Sequence, residues 1–200
     1  VFSKLGQGLI DEAWTDFTRG EEQEFTAETP HTPVFMPWFF HRWLPDPKET
    51  NFPEFAAREA TVAGEFLAQR RRHLDPLLAR YLEACAAAPF SFYEIVRAEA
   101  GRGFLLRDLI LERETFVTEH TGSQNARKAD IVVAQIAAID GLALIEGWGT
   151  VVIQPGDKPA IIDLRKHLRD EFGLSGAAPL KDWESDLIGL YLDLAERILH

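Results

Sequence analysis

A single cysteine, Cys85, stands among the 200 residues. That scarcity excludes an intramolecular disulfide and any zinc site built from cysteines alone. It suits a reducing compartment, and the cytoplasm is the expected location. Basic side chains are also in short supply: 21 Lys and Arg against 32 Asp and Glu leave a formal charge of −11. The mean field of such a surface repels phosphate backbones and anionic lipid headgroups, so nucleic acid is a disfavoured partner unless a local basic patch overrides the average. No window approaches the ~18 uninterrupted apolar residues of a membrane span. The N-terminus lacks the basic, apolar, small-residue succession of a signal peptide. Repeats of solenoid length and low-complexity tracts are missing too.

What is present is ordinary globular chemistry with a rich aromatic content. Hydrophobic residues make up 46% and charged residues 26%, with 14 Phe and 5 Trp supplying large apolar side chains. A compact chain of this length buries roughly 70% of its unfolded surface and needs no covalent staple.

Hydrophobic periodicity divides the chain into three parts: helical over 1–89, β-rich over 90–155 and helical again over 156–200, all of which can share one compact domain. Leu5, Leu9, Ala13 and Phe17, broadened by Ile10 and Trp14, form one apolar stripe, and Arg19-Gly20 supplies a helix stop. The acidic stretch Glu21–Glu28 reads as a solvated loop. Residues 34–44, VFMPWFFHRWL, predict a short buried helix with Pro37 in its first turn. A further helix is expected from Pro53 to about Arg71, and another beginning at Pro76 on which Leu77, Leu78, Tyr81, Leu82 and Cys85 recur at three and four.

The period changes at Pro89. Phe92–Arg97 and Phe104–Leu109, joined by Gly101-Arg102-Gly103, predict a hairpin; Thr115–Glu119 is a third strand, and 121–129, with Gly122, Ser123 and Asn125, a polar loop. Ile131–Ile139 and Leu142–Ile145 flank Asp140-Gly141, the strongest short-range hairpin signal in the chain. Val151–Ile153 is a sixth strand or a bent half of the fifth. Helices return around Ile161–Leu168 and over Leu180–Leu199. The fold class is therefore α+β: N-terminal helices, a small central antiparallel sheet or barrel of five or six strands, and C-terminal helices.

Residue patterns that carry chemistry are few. The six histidines, His31, His41, His73, His120, His167 and His200, contain no His-x-x-x-His pair. Asp11, Glu12 and Asp16 read as a solvated acidic helix face rather than a metal site. No Gly-x-Ser-x-Gly elbow exists, and Cys85 lies in an alanine-rich stretch, as a small buried hydrophobe would. Gly101-Arg102-Gly103 leads into a strand and lacks the remainder of a phosphate loop. No cofactor is implied. Two features are candidates for contact with another protein: the aromatic segment containing Trp38 and Trp43, and the basic cluster Arg70-Arg71-Arg72.

Leu9-Ile10-Asp11-Glu12-Ala13-Trp14, Phe35-Met36-Pro37-Trp38-Phe39-Phe40, Trp43-Leu44-Pro45-Asp46, Pro89–Glu94 and Gly101-Arg102-Gly103-Phe104 with Arg107-Asp108-Leu109 together give an order and spacing over about residues 5–155. That pattern resembles a group of uncharacterised bacterial proteins that often carry a SEC-C motif. The motif itself, a cysteine-rich zinc-binding segment, is missing here, so zinc binding is not carried over. The resemblance implies a bacterial cytoplasmic protein of unassigned activity.

The leading expectation is a non-catalytic protein-binding or adaptor domain. One alternative is an enzyme using dispersed groups such as Asp46, Asp108, His41 and His120. Another is nucleic-acid binding through a small barrel presenting Arg97, Arg102, Arg107, Arg113, Arg127 and Lys128.

Overall fold

The computed structural model describes residues 4–20, 24–124, 126–174, 176 and 180–199. Glu21–Gln23 of the expected acidic loop, Asn125 of the polar loop and His200 lie outside the described residues. Among those described, seven α-helices flank a five-stranded antiparallel sheet, the α+β architecture that periodicity predicts. No described helix is long and apolar enough to cross a membrane.

The first helix, α1 (Lys4–Phe17), buries Ile10, Ala13, Trp14 and Phe17. It stops where Arg19 (φ 60°) and Gly20 (φ 90°) turn left-handed, and Gly20 N–H returns to Thr15 O at 2.8 Å. Helix α2 (Thr32–His41) begins two residues before the expected start. Pro33 therefore takes the first-turn position, and Pro37 falls inside the helix.

The expected helix over 53–71 is broken. A short α3 (Pro53–Ala56) ends before Glu59, at φ 50°, and α4 (Val62–Arg70) restarts with Thr61 as its N-cap, Oγ1 accepting from Gly64 N–H at 3.2 Å. Asp75 caps α5 (Pro76–Ala87), accepting from Leu77 N–H at 2.7 Å.

The sheet consists of β1 (Phe90–Glu99), β2 (Gly103–Asp108), β3 (Glu114–Thr118), β4 (Ile131–Ile139) and β5 (Leu142–Trp148), in the order β3-β2-β1-β4-β5. Asp140 (φ 50°) and Gly141 (φ 82°) make the tight turn that Asp-Gly predicts. Val151–Ile153 contributes only a single bridge, Ile153 to Ile131. The sheet curls until β3 and β5 approach within 8 Å without hydrogen-bonding to each other. It is an open, curled sheet rather than a closed barrel.

Both faces of this sheet are covered, which explains the near-continuous apolar run of β4. Phe90, Phe92, Ile131 and Val133 point into a large core with α1, α2, α6 (Lys158–Phe172) and α7 (Glu184–Leu199). Tyr93, Ile95, Phe104, Leu106, Val117, Val132 and Ala134 fill the inside of the curl. The larger core draws residues from all three parts of the chain.

Candidate functional site

Helix α2 has two faces with different uses. Val34, Phe35 and Phe39 enter the large core, whereas Pro33, Met36, Pro37 and Phe40, spaced at three and four, look towards β5. Close approach of helix and strand is possible because Gly147 has no side chain: a Cβ there would lie 3.0 Å from Pro33 O and 3.1 Å from Pro37 Cγ. A β-bulge accompanies this contact. Gln135 pairs with Gly147 and Ile136 with Ile145, so Glu146 is the extra residue.

Between α2 and the open side of the curled sheet runs a cleft of about 660 Å³, within the size range of ligand-binding sites. Its walls are Pro33, Met36, Pro37 and Phe40 on one side and Ile145, Trp148 and Phe104 on the other. The Phe104 and Trp148 rings of that second wall stack at 5.1 Å. Glu119 and Glu146 line it as well. Glu119 accepts from Thr121 N–H at 3.1 Å and Ser123 N–H at 3.0 Å. Among the described residues neither carboxylate has a lysine or arginine partner.

At the Glu146 end, three elements converge. His41 closes α2, while Tyr81 and Cys85 share a face of α5 at a spacing of four. His41 Nε2 lies 3.6 Å from Glu146 Oε1, and the Tyr81 hydroxyl donates to Glu146 Oε2. Cys85 is fully buried, and desolvation pushes its thiol up to about 11. It is protonated at neutral pH and is not poised as a nucleophile. Gln135 Nε2 donates to Cys85 O and Ala88 O, both at 2.9 Å, tying the end of α5 to β4.

The residues singled out in the sequence are dispersed. Trp43 is 2% exposed in the core and donates from Nε1 to Asp16 Oδ2 at 2.8 Å. Trp38 is half-buried against Phe17 and Phe35. Thus segment 34–44 does form a cleft wall, through Met36, Pro37 and Phe40 rather than through its tryptophans. Arg70, Arg71 and Arg72 are exposed, running from the end of α4 into a 3₁₀ turn, and Arg71 pairs with Glu83.

Asp11, Glu12 and Asp16 are taken up in hydrogen bonds: Gln7 to Asp11, Thr50 and Asn51 to Glu12, Trp43 to Asp16. No hydrogen bond or ion pair among the described residues joins any two of Asp46, Asp108, His41 and His120. Of the arginines expected on a basic face, Arg97 and Arg102 pair with Glu99, and Arg107 with Glu94 and Glu114.

The cleft-lining residues that periodicity missed carry one readable signal, the second stripe of α2. Glu146 carries another, a charged residue beside Gly147 where the ribbon is interrupted. No family model, no curated protein and no solved structure matches the chain.

Proposed function

We propose that this chain is a non-catalytic binding or adaptor domain whose cleft between α2 and the curled sheet receives an apolar, positively charged segment of another protein. The observation that carries the reading is the cleft's composition: an apolar trough flanked by carboxylates that pair with no lysine or arginine of the described residues. Elsewhere around the sheet, glutamates are matched by arginines or by Lys158, so Glu119 marks a local surplus of negative charge. The net charge of −11 adds long-range attraction for a cationic partner.

A random peptide library panned on the immobilised chain tests this. Binders enriched in apolar residues together with Lys or Arg are expected, with affinity falling about tenfold or more, ~1.4 kcal/mol, in Met36→Lys. Glu119→Gln should weaken the same peptides, and both variants should melt close to the wild type. Binders without basic enrichment, or affinities indifferent to Met36→Lys, would overturn the reading.

A further inference from the structure

We propose that His41, Cys85 and Glu146 form a binding site for a divalent transition-metal ion of the zinc type, with water as the remaining ligand. The three side chains offer one nitrogen, one sulfur and one oxygen, all within 4.8 Å of one another. Donors around tetrahedral zinc lie roughly 3.4–3.6 Å apart, as its bond lengths of about 2.0–2.3 Å require. The His41–Glu146 separation of 3.6 Å already matches, and only a small side-chain adjustment closes the rest. A mixed sulfur, imidazole and carboxylate set suits zinc rather than magnesium or calcium, which prefer oxygen alone.

The state of His41 is the independent pointer. Its side chain is 3% exposed, yet Nδ1 has no hydrogen-bond partner and Nε2 approaches only Glu146, beyond hydrogen-bond length. An imidazole buried for packing alone would be expected to satisfy at least one nitrogen. Nε2 faces the Glu146 carboxylate, and the donor atoms of His41, Cys85 and Glu146 all lie within 4.8 Å of one another, so the ring is placed as a ligand. The supports are rigid, since the donors sit on the end of α2, the last turn of α5 and a β-bulge. The Tyr81 hydroxyl fixes Glu146 Oε2 and leaves Oε1 towards His41. Glu146 also lines the cleft, which gives the ion and water a route to the cluster. On binding, a metal–sulfur bond replaces the Cys85 S–H bond and one proton leaves to solvent.

This site shares Glu146 with the cleft wall but does not rest on the peptide-binding reading. Its test is cobalt titration of the chelator-treated full chain, followed by optical absorption. One Co²⁺ per chain is expected, with a thiolate-to-cobalt charge-transfer band and the intense visible bands of four-coordinate cobalt, all displaced by Zn²⁺. Cys85→Ser should abolish the charge-transfer band, and Tyr81→Phe should weaken binding about tenfold. Absence of the band at stoichiometric cobalt, or its survival in Cys85→Ser, overturns the proposal. Should Cys85→Ser fail to fold, X-ray absorption of the zinc-loaded wild type decides: one sulfur neighbour supports the site, and a shell of nitrogen and oxygen only refutes it.

Discussion

Two buried carboxylates anchor the sheet, Glu184 to the surrounding helices and Asp108 to the β2–β3 connection, and each makes a separate prediction. Glu184, at the start of α7, accepts from Arg42 Nε at 2.7 Å and from Phe90 N–H at 3.2 Å, while Arg42 Nη1 donates to Ala86 O at 2.8 Å. One side-chain pair thus joins the end of α2, the end of α5, the start of β1 and the start of α7. Removing one partner strands the other charge in the core, so Glu184→Leu should cost about 3–5 kcal/mol. Arg42→Met combined with Glu184→Leu should recover much of that, as measured by urea unfolding.

Asp108 accepts from the Ser91 hydroxyl at 2.6 Å and from Ile110 and Leu111 N–H, both at 2.9 Å. Burial nevertheless raises its carboxyl above the ordinary 3.8. A raised folded value means that the native state holds the proton more tightly than the unfolded chain. The group's contribution to stability is therefore full below 3.8 and is lost as pH rises through the folded value. Asp108→Asn cannot titrate, so the wild type should gain Tm relative to the variant as pH falls from neutral towards that range. A gap that stays constant or shrinks would contradict this.

At the scale of elements, glycine positions separate steric need from backbone need. Gly103 opens β2 at φ 150°, and a Cβ there would meet Val117 O at 2.0 Å; Gly141, at φ 82° in the β4–β5 turn, faces open space. Gly103→Ala should therefore cost roughly 3 kcal/mol, against about 1 kcal/mol for Gly141→Ala, compared by denaturant midpoints at equal slope.

The same elements show what sequence makes legible. β4 was readable residue for residue, because an apolar run ending in Asp-Gly leaves few alternatives. The break between α3 and α4 was not, because Ala60 and Ala63 continue a helical spacing that Thr61, as a cap, interrupts. In α2 the aromatic density was visible, yet assigning Pro37 to the first turn hid Pro33 as the initiator, and with it the cleft-facing stripe. The His41–Cys85–Glu146 cluster was illegible for a different reason: its members come from three elements, and a bulge in β5 aims the third.

At the scale of the whole molecule, the large core takes side chains from both helical parts and from the sheet, while the inner core sits within the curl. Trp14, Trp38, Trp43 and Trp183 report on the first, and Trp148 on the second. Unfolding should be one cooperative transition with coincident fluorescence and far-UV circular dichroism; two separated transitions would show that the parts fold independently. The charge imbalance also acts at this scale. Binding of a cationic segment should weaken as salt shortens the Debye length below its ~10 Å at 0.1 M.

The cleft is the centre of the account, and nuclear magnetic resonance of the isotopically labelled chain tests it most directly. On titration with a selected apolar, basic peptide, shift changes should concentrate in residues 32–40, 119–122 and 145–150. Changes gathered instead on the exposed apolar residues Leu77, Leu78 and Leu142, or none at saturating peptide, would contradict it.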